Sequence, residues 1–320
     1  MFAPNRKLLI FLAAFVPGLV LAQFHNVPAF RVVPLGVRGG LDESNLSAYL
    51  VAKSGTSQYI CLDAGTLHAG IERARALGTF RVTGTRVLKQ YIKGYCISHA
   101  HLDHVAGLII NSPEDTAKAV YALGSTIETL KTHYFTWESW ANFADEGEAP
   151  VLKKYHYVTL PPDSAVPING TPMNLRAFAL SHGNLTSTAF LVGSGNSYLL
   201  YLGDTGSDSL EKSQRLHQLW LAMAPLIRNK QLKGIFIEAS FPDSQPDRSL
   251  FGHLTPRWLM REMEDLAALT GRKALHGLAI IITHEKPPVE NIQTINRQLR
   301  AENTLQLQLI FPRQGKTFEL

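Results

Sequence analysis

Apolar residues along this chain gather into short runs that stop abruptly at Gly, Asp or His. Nine of them read as strands, at residues 30–35, 47–52, 59–62, 94–97, 175–180, 188–192, 198–202, 234–237 and 279–282. Between them lie helical stretches. The clearest is 255–269, where Trp258, Leu259, Glu262, Met263 and Leu266 fall at helical spacing behind Pro256 at a first-turn position. The alternation predicts sheets covered by helices, an α/β (α+β) chain. No internal repeat is visible, although each half offers a block of strands followed by a loop rich in candidate ligands. Residues 131–162 stand apart, with Tyr134, Phe135, Trp137, Trp140 and Phe143 crowded together before a break at Pro161. That segment is either an insertion beside a site or aromatic filling for a core.

Composition narrows the picture. With 320 residues, 45% hydrophobic and 18% charged, the chain can bury a large core and is not a disordered protein. Residues 1–22 read as a cleavable signal peptide: Arg6 and Lys7 precede an apolar run from Leu8 to Leu21, and Val20-Leu21-Ala22 suits signal peptidase. The run is shorter than the roughly 20 residues that span a bilayer. The expectation is therefore export, to the periplasm in a Gram-negative source, with no stable membrane association after cleavage before Gln23. Loss of Arg6 and Lys7 lowers the formal charge from the +5 of the whole chain, too small a surplus to argue for nucleic acid. Cys61 and Cys96 lie in apolar strand-like runs, where buried free thiols are expected over a disulfide.

The densest chemistry is Ser98-His99-Ala100-His101-Leu102-Asp103-His104, three imidazoles and a carboxylate on one short segment. His99 and His101, at alternate positions, can point the same way as a strand ends. Asp103 and His104 turn back from the other side, so one loop can serve two metals. The same logic, a His or Asp just after an apolar strand, selects His182, Asp204 and His284 downstream. Each alone could be a turn former or a hydrogen-bonded histidine.

Taken together these residues resemble the metallo-β-lactamase superfamily, whose pattern is a His-x-His-x-Asp-His loop followed by a His, a bridging Asp and a final His. The resemblance implies that His99, His101 and His182 hold one metal, that Asp103, His104 and His284 hold a second, and that Asp204 bridges them. It also implies a four-layer αβ/βα sandwich, the metallo-β-lactamase fold, as a single catalytic domain over residues 23–320. The likeness narrows to the class II cyclic nucleotide phosphodiesterases at Leu62-Asp63-Ala64-Gly65-Thr66, at the His99 motif followed by Gly107, and at Trp140-Ala141-Asn142-Phe143. It extends through Glu238-Ala239-Ser240-Phe241, Gly252-His253-Leu254-Thr255-Pro256 and Ile282-Thr283-His284-Glu285-Lys286-Pro287. These motifs cover nearly the whole mature chain, and the segment from Gly252 to Pro256 is the most specific to the subfamily.

The activity so implied is hydrolysis of 3′,5′-cyclic nucleotides, cyclic AMP with cyclic GMP left open, to 5′-nucleoside monophosphates. A phosphodiester anion resists neutral water, so a catalyst must supply both a nucleophile at neutral pH and positive charge for the developing oxygens. Two metal ions do both through a bridging hydroxide. Imidazole and carboxylate ligands without thiolate suit Zn²⁺. Asp103, as a ligand, and His253, as general acid or phosphate ligand, are the catalytic candidates. His253 could equally be a loop-bonded structural histidine. Asp63 could fix the tautomer of a ligand histidine or simply form a turn. Other dinuclear hydrolases are the alternative: a thioester or lactone hydrolase, or an enzyme of another diester. A bridging Asp204 argues against a β-lactamase, and export against tRNA processing. A non-catalytic metal or nucleotide binder would not need a bridging carboxylate. The expected partner is a small cyclic nucleotide, not nucleic acid, and homodimerisation stays open.

Overall fold

The computed structural model describes Met1, residues 28–161 and residues 164–320; the expected leader, apart from Met1, lies outside the described residues. All nine apolar runs form strands. In chain order the strands are Phe30–Gly36 (β1), Ala48–Lys53 (β2), Tyr59–Leu62 (β3), Ile92–Cys96 (β4), Lys118–Ala122 (β5), Tyr155–Thr159 (β6) and Val166–Pro167 (β7). They continue with Asn174–His182 (β8), Leu185–Ser194 (β9), Ser197–Leu202 (β10), Leu232–Glu238 (β11), Ala279–Thr283 (β12), Gln308–Ile310 (β13) and Phe318–Glu319 (β14).

Two seven-stranded sheets result, ordered β14-β1-β2-β3-β4-β5-β6 and β7-β8-β9-β10-β11-β12-β13 when read from matching edges. Read this way, each sheet runs through three antiparallel pairings and then three parallel ones. The halves therefore repeat in topology where no repeat shows in sequence. Strands β6, β7, β13 and β14 are the four sheet edges. They are short and partly polar, as edges must be to avoid pairing with other chains, and the apolar-run criterion passes over them.

Strand periodicity explains the layers. In β2, Ala48, Leu50 and Ala52 enter a core shared with Leu67 and with helical residues Ile71, Val105 and Leu108. Tyr49 and Val51 instead meet Leu175, Phe190, Tyr201 and Phe236 of the other sheet. A third core packs the outer face of the second sheet, through Leu200, Ile235 and Ile280, against Leu219, Trp220, Leu259 and Met263. Three apolar layers separate four structural ones, the αβ/βα sandwich expected. Strands buried on both faces must be apolar at nearly every position, hence the continuous runs.

Other readings resolve in the same terms. The helix Pro256–Thr270 matches its expected span, with Thr255 before it and Pro256 in its first turn. Cys61 and Cys96 are both free and buried. They sit on paired strands but face opposite cores, Cys61 outward and Cys96 between the sheets, so they cannot bond. The aromatic segment is mostly core filling: Phe135 is buried and Tyr134, Trp140 and Phe143 pack against the same cluster. Tyr134 also reaches the site, its hydroxyl donating to the Ala100 carbonyl at 2.8 Å.

Candidate metal centre

The chemistry-bearing residues collect where strands of both sheets end. Asp63 follows β3, His99 and its neighbours follow β4, and Asp204, Glu238 and His284 lie at the ends of β10, β11 and β12, with His182 closing β8. The helix Leu102–Asn111 begins directly after His101 and brings Asp103 and His104 in on its first turn. The loop after β3 locks that turn in place, Ala64 N donating to His104 O at 2.8 Å and Gly107 N to Gly65 O at 2.9 Å.

Two groups of donors form. His99, His101, His182 and Asp204 make one, and Asp103, His104 and His284 the other, with ligand atoms inside each lying within 4.8 Å of one another. Asp204 Oδ2 lies between them, 3.8 Å from Nε2 of His99 and of His182, 3.3 Å from His104 Nε2 and 3.2 Å from His284 Nε2. His99 Nε2 is 3.0 Å from His101 Nδ1, and Asp103 Oδ2 is 3.1 Å from His284 Nε2. All seven sequence candidates thus face a common centre. Such a set of nitrogen and carboxylate donors is suited to divalent metal.

The electrostatics fit a cation. Burial alone would raise the carboxyls of Asp103 and Asp204, but the imidazoles of His104 and His284 outweigh it and hold both below the usual range. Burial, reinforced by neighbouring imidazoles, pushes His99 and His101 down, leaving neutral rings with lone pairs. His104 runs the other way: burial opposes its charge, yet Asp204, Asp63 and Asp103 together raise it well above an ordinary histidine. Its Nε2 is buried with no hydrogen-bond partner and faces Asp204 and Asp103. The surrounding carboxylates therefore favour positive charge at this position.

A second layer holds the donors still. Asp63 accepts from His104 Nδ1 at 2.7 Å, from Ser98 N and Oγ at 2.7 Å each, and from Tyr201 at 2.6 Å. It thereby fixes the His104 tautomer. Ser240 Oγ lies 2.9 Å from His284 Nδ1, and His182 Nδ1 donates to Gly252 O at 2.8 Å. Asp63 and His284 both hold left-handed backbones, with φ of 52° and 57°, strain of the kind that collects at functional sites. Gly252 has φ of 81°, and a Cβ there would lie 2.3 Å from Gly183 N, so only glycine fits.

His253 is buried against the same centre, its Nδ1 3.8 Å from Asp204 Oδ2, and Asp204, His253 and His284 form a third donor group. Both its nitrogens are engaged, however: Nδ1 sits 3.0 Å from either oxygen of Glu238, and Nε2 is 2.9 Å from Lys286 Nζ. Sequence reasoning quoted Glu238, Ser240 and Lys286 without giving them roles. Glu238 ends an apolar strand, as the ligands do, and a strand-end search that included Glu would have found it.

The model of class-II cAMP phosphodiesterases matches residues 30–315. The chain belongs to that family. This class-II phosphodiesterase is 41% identical over 306 residues to a 3′,5′-cyclic-nucleotide phosphodiesterase of Aliivibrio fischeri, covering 91% of this chain and 93% of that one. It is 38% identical to a probable 3′,5′-cyclic-nucleotide phosphodiesterase of Yersinia pestis, over 91% of this chain and 89% of that one. Among solved structures, unliganded yeast PDE1 superposes with a TM-score of 0.80 at 23% identity, over 92% of this chain and all of that one. The metallo-β-lactamase fold protein YhfI of Bacillus subtilis follows with a TM-score of 0.59 at 16% identity, covering 91% of this chain and 99% of that one. The phosphodiesterase has the metallo-β-lactamase fold.

Proposed function

We propose that the protein hydrolyses 3′,5′-cyclic nucleotides, cyclic AMP first among them, to 5′-nucleoside monophosphates with two divalent metal ions, Zn²⁺ by the chemistry of the donors. The observation that carries this reading is the convergence of seven donors in two groups around Asp204, in a chain of this family. His99, His101 and His182 would hold one ion, Asp103, His104 and His284 the other, and Asp204 both. When bound, such ions supply a nucleophile at neutral pH and positive charge at the phosphoryl oxygens.

The chain's own groups handle the leaving oxygen. Water adds to phosphorus, the P–O3′ bond breaks, and O3′ takes up a proton. We assign His253 the tautomer in which Nδ1–H donates to Glu238 and Nε2 accepts from Lys286 Nζ, which leaves a proton on the adjoining ammonium. His253 and Lys286 are placed to pass that proton toward O3′, and Lys286 adds a cation for the phosphate. With both nitrogens engaged, His253 serves better as a proton carrier than as a metal ligand. We also propose that the mature chain begins at Gln23 and is exported.

Product analysis tests the reading directly. Metal-loaded protein lacking residues 1–22 should convert cyclic AMP to 5′-AMP and bind two metals per chain by elemental analysis. Release of 3′-AMP, absence of turnover, or fewer than two metals would refute it. His253→Ala should keep its metals and lose turnover; loss of metal would reassign His253 as a ligand.

A further inference from the structure

Leaving aside the chain start, the two most exposed large apolar side chains among the described residues are Leu41, at 85%, and Phe251, at 74%. Both flank the metal centre, and both hold left-handed backbones, with φ of 26° and 53°. Their loops touch opposite donor groups. Gly40 N donates to Asp103 Oδ2 at 2.9 Å, and a Cβ on Gly39 would lie 2.2 Å from the His284 ring. On the other side Gly252 O accepts from His182 Nδ1, and Phe251 immediately precedes it. Leu102, between His101 and Asp103, and Leu185, three residues beyond His182, are also exposed. Four separate segments thus set an apolar side chain in solvent beside the centre: Leu102 and Leu185 within three residues of a donor, and Leu41 and Phe251 each next to a glycine whose backbone hydrogen-bonds one.

Folding does not ask for this. A left-handed turn favours Gly or Asn, and a phenyl ring there is both strained and left in water. The backbone at 251 needs to deliver the Gly252 carbonyl to His182, which a small polar residue would do at lower cost. A largely exposed aromatic ring beside a centre suited to hold a phosphodiester is what a planar nitrogenous base requires.

We infer that Phe251 is the platform on which the nucleobase stacks, with Leu41, Leu102 and Leu185 forming the rest of an apolar rim. This subsite rests on the cyclic-nucleotide reading above. A base held by its π-face is accepted whether purine ring substituents are those of adenine or guanine, so the rim gives affinity for a base and little choice between the two.

The test compares Phe251→Ala and Phe251→Trp on cyclic AMP and on the base-free 1-deoxyribose 3′,5′-cyclic phosphate, with Leu221→Ala as an exposed apolar control away from the centre. Phe251→Ala should raise KM for cyclic AMP by about fivefold or more, the lower range of base–aromatic stacking, and leave kcat within about twofold. Phe251→Trp should restore KM, and kcat/KM for the base-free diester should be the same in all forms. Unchanged KM for cyclic AMP, or an equal loss on the base-free diester, overturns the inference while leaving the cyclic-nucleotide reading intact. Wild-type protein that turns over neither substrate overturns both.

Discussion

Replacing Asp63 by Asn keeps the shape of the side chain and removes its charge and one acceptor oxygen. In the native protein the fully buried carboxylate takes four hydrogen bonds, one on Oδ1 from Ser98 N and three on Oδ2 from Ser98 Oγ, His104 Nδ1 and Tyr201. The best an amide can do is keep its oxygen toward the three-donor side. Its NH₂ then faces the Ser98 N–H, leaving two buried donors opposed. At about 1–3 kcal/mol for each buried polar group left unpaired, D63N should lose about 2–6 kcal/mol of stability. The alternative flip is no better, because it opposes the amide to His104 Nδ1–H, even though the hydroxyls of Ser98 and Tyr201 can turn to accept. His104 also loses the carboxylate that makes its Nε2 a strong donor to metal, a change that costs about 10–100-fold in affinity in comparable outer-layer sites. Competition with a chromophoric chelator would measure that affinity, and thermal melting of the metal-free protein the stability. If D63N binds metal within twofold of wild type and melts unchanged, the account of Asp63 as the organiser of this site is wrong.

Three further outcomes are expected. Gly252→Ala, whose new Cβ would lie 2.3 Å from Gly183 N, should displace His182 and lower both metal content and melting temperature; a fully loaded variant would show that the loop has room. Burial pushes both thiols well above an ordinary cysteine, so Cys61 and Cys96 should resist a thiol reagent in native protein at pH 8 and both react in denaturant. Stripping metal with a chelator should lower the melting temperature, and re-addition of Zn²⁺ should restore it in proportion to the logarithm of the free ion concentration, because the ion binds only the folded chain.

Much of the site is legible in the sequence because its residues obey one geometric rule. A polar side chain at the carboxyl end of an apolar strand has nowhere to go but the sheet's rim, so His99, His182, Asp204 and His284 stand out against their flanks. Asp63 stands out likewise, and its hydrogen bond to His104 follows the expected pattern. What stays hidden depends on distant partners. The Glu238–His253–Lys286 chain joins three segments whose contact is set by the packing of β11 against β12 and by the left-handed turn at His284. The edge strands are equally hard to see, since β14 pairs with β1 from the far end of the chain and has only two residues. Alternation of strands and helices made sheets covered by helices readable and the family resemblance implied their four layers, whereas the topological repeat was not readable, because it is kept by pairing and not by side-chain identity.

The division of the donors between the two halves carries a consequence for biogenesis. The first half supplies His99, His101, Asp103 and His104; the second supplies His182, Asp204 and His284. A chain interrupted in the linker before β8 would keep the denser motif, yet neither donor group would be complete. Capture of metal by these groups would therefore report that both halves have folded and docked, and bound ions would clamp the seam between the sheets. Partial translation products would remain chemically silent, and a cell that exported the chain unfolded would gain the activity only where the complete protein meets its metal.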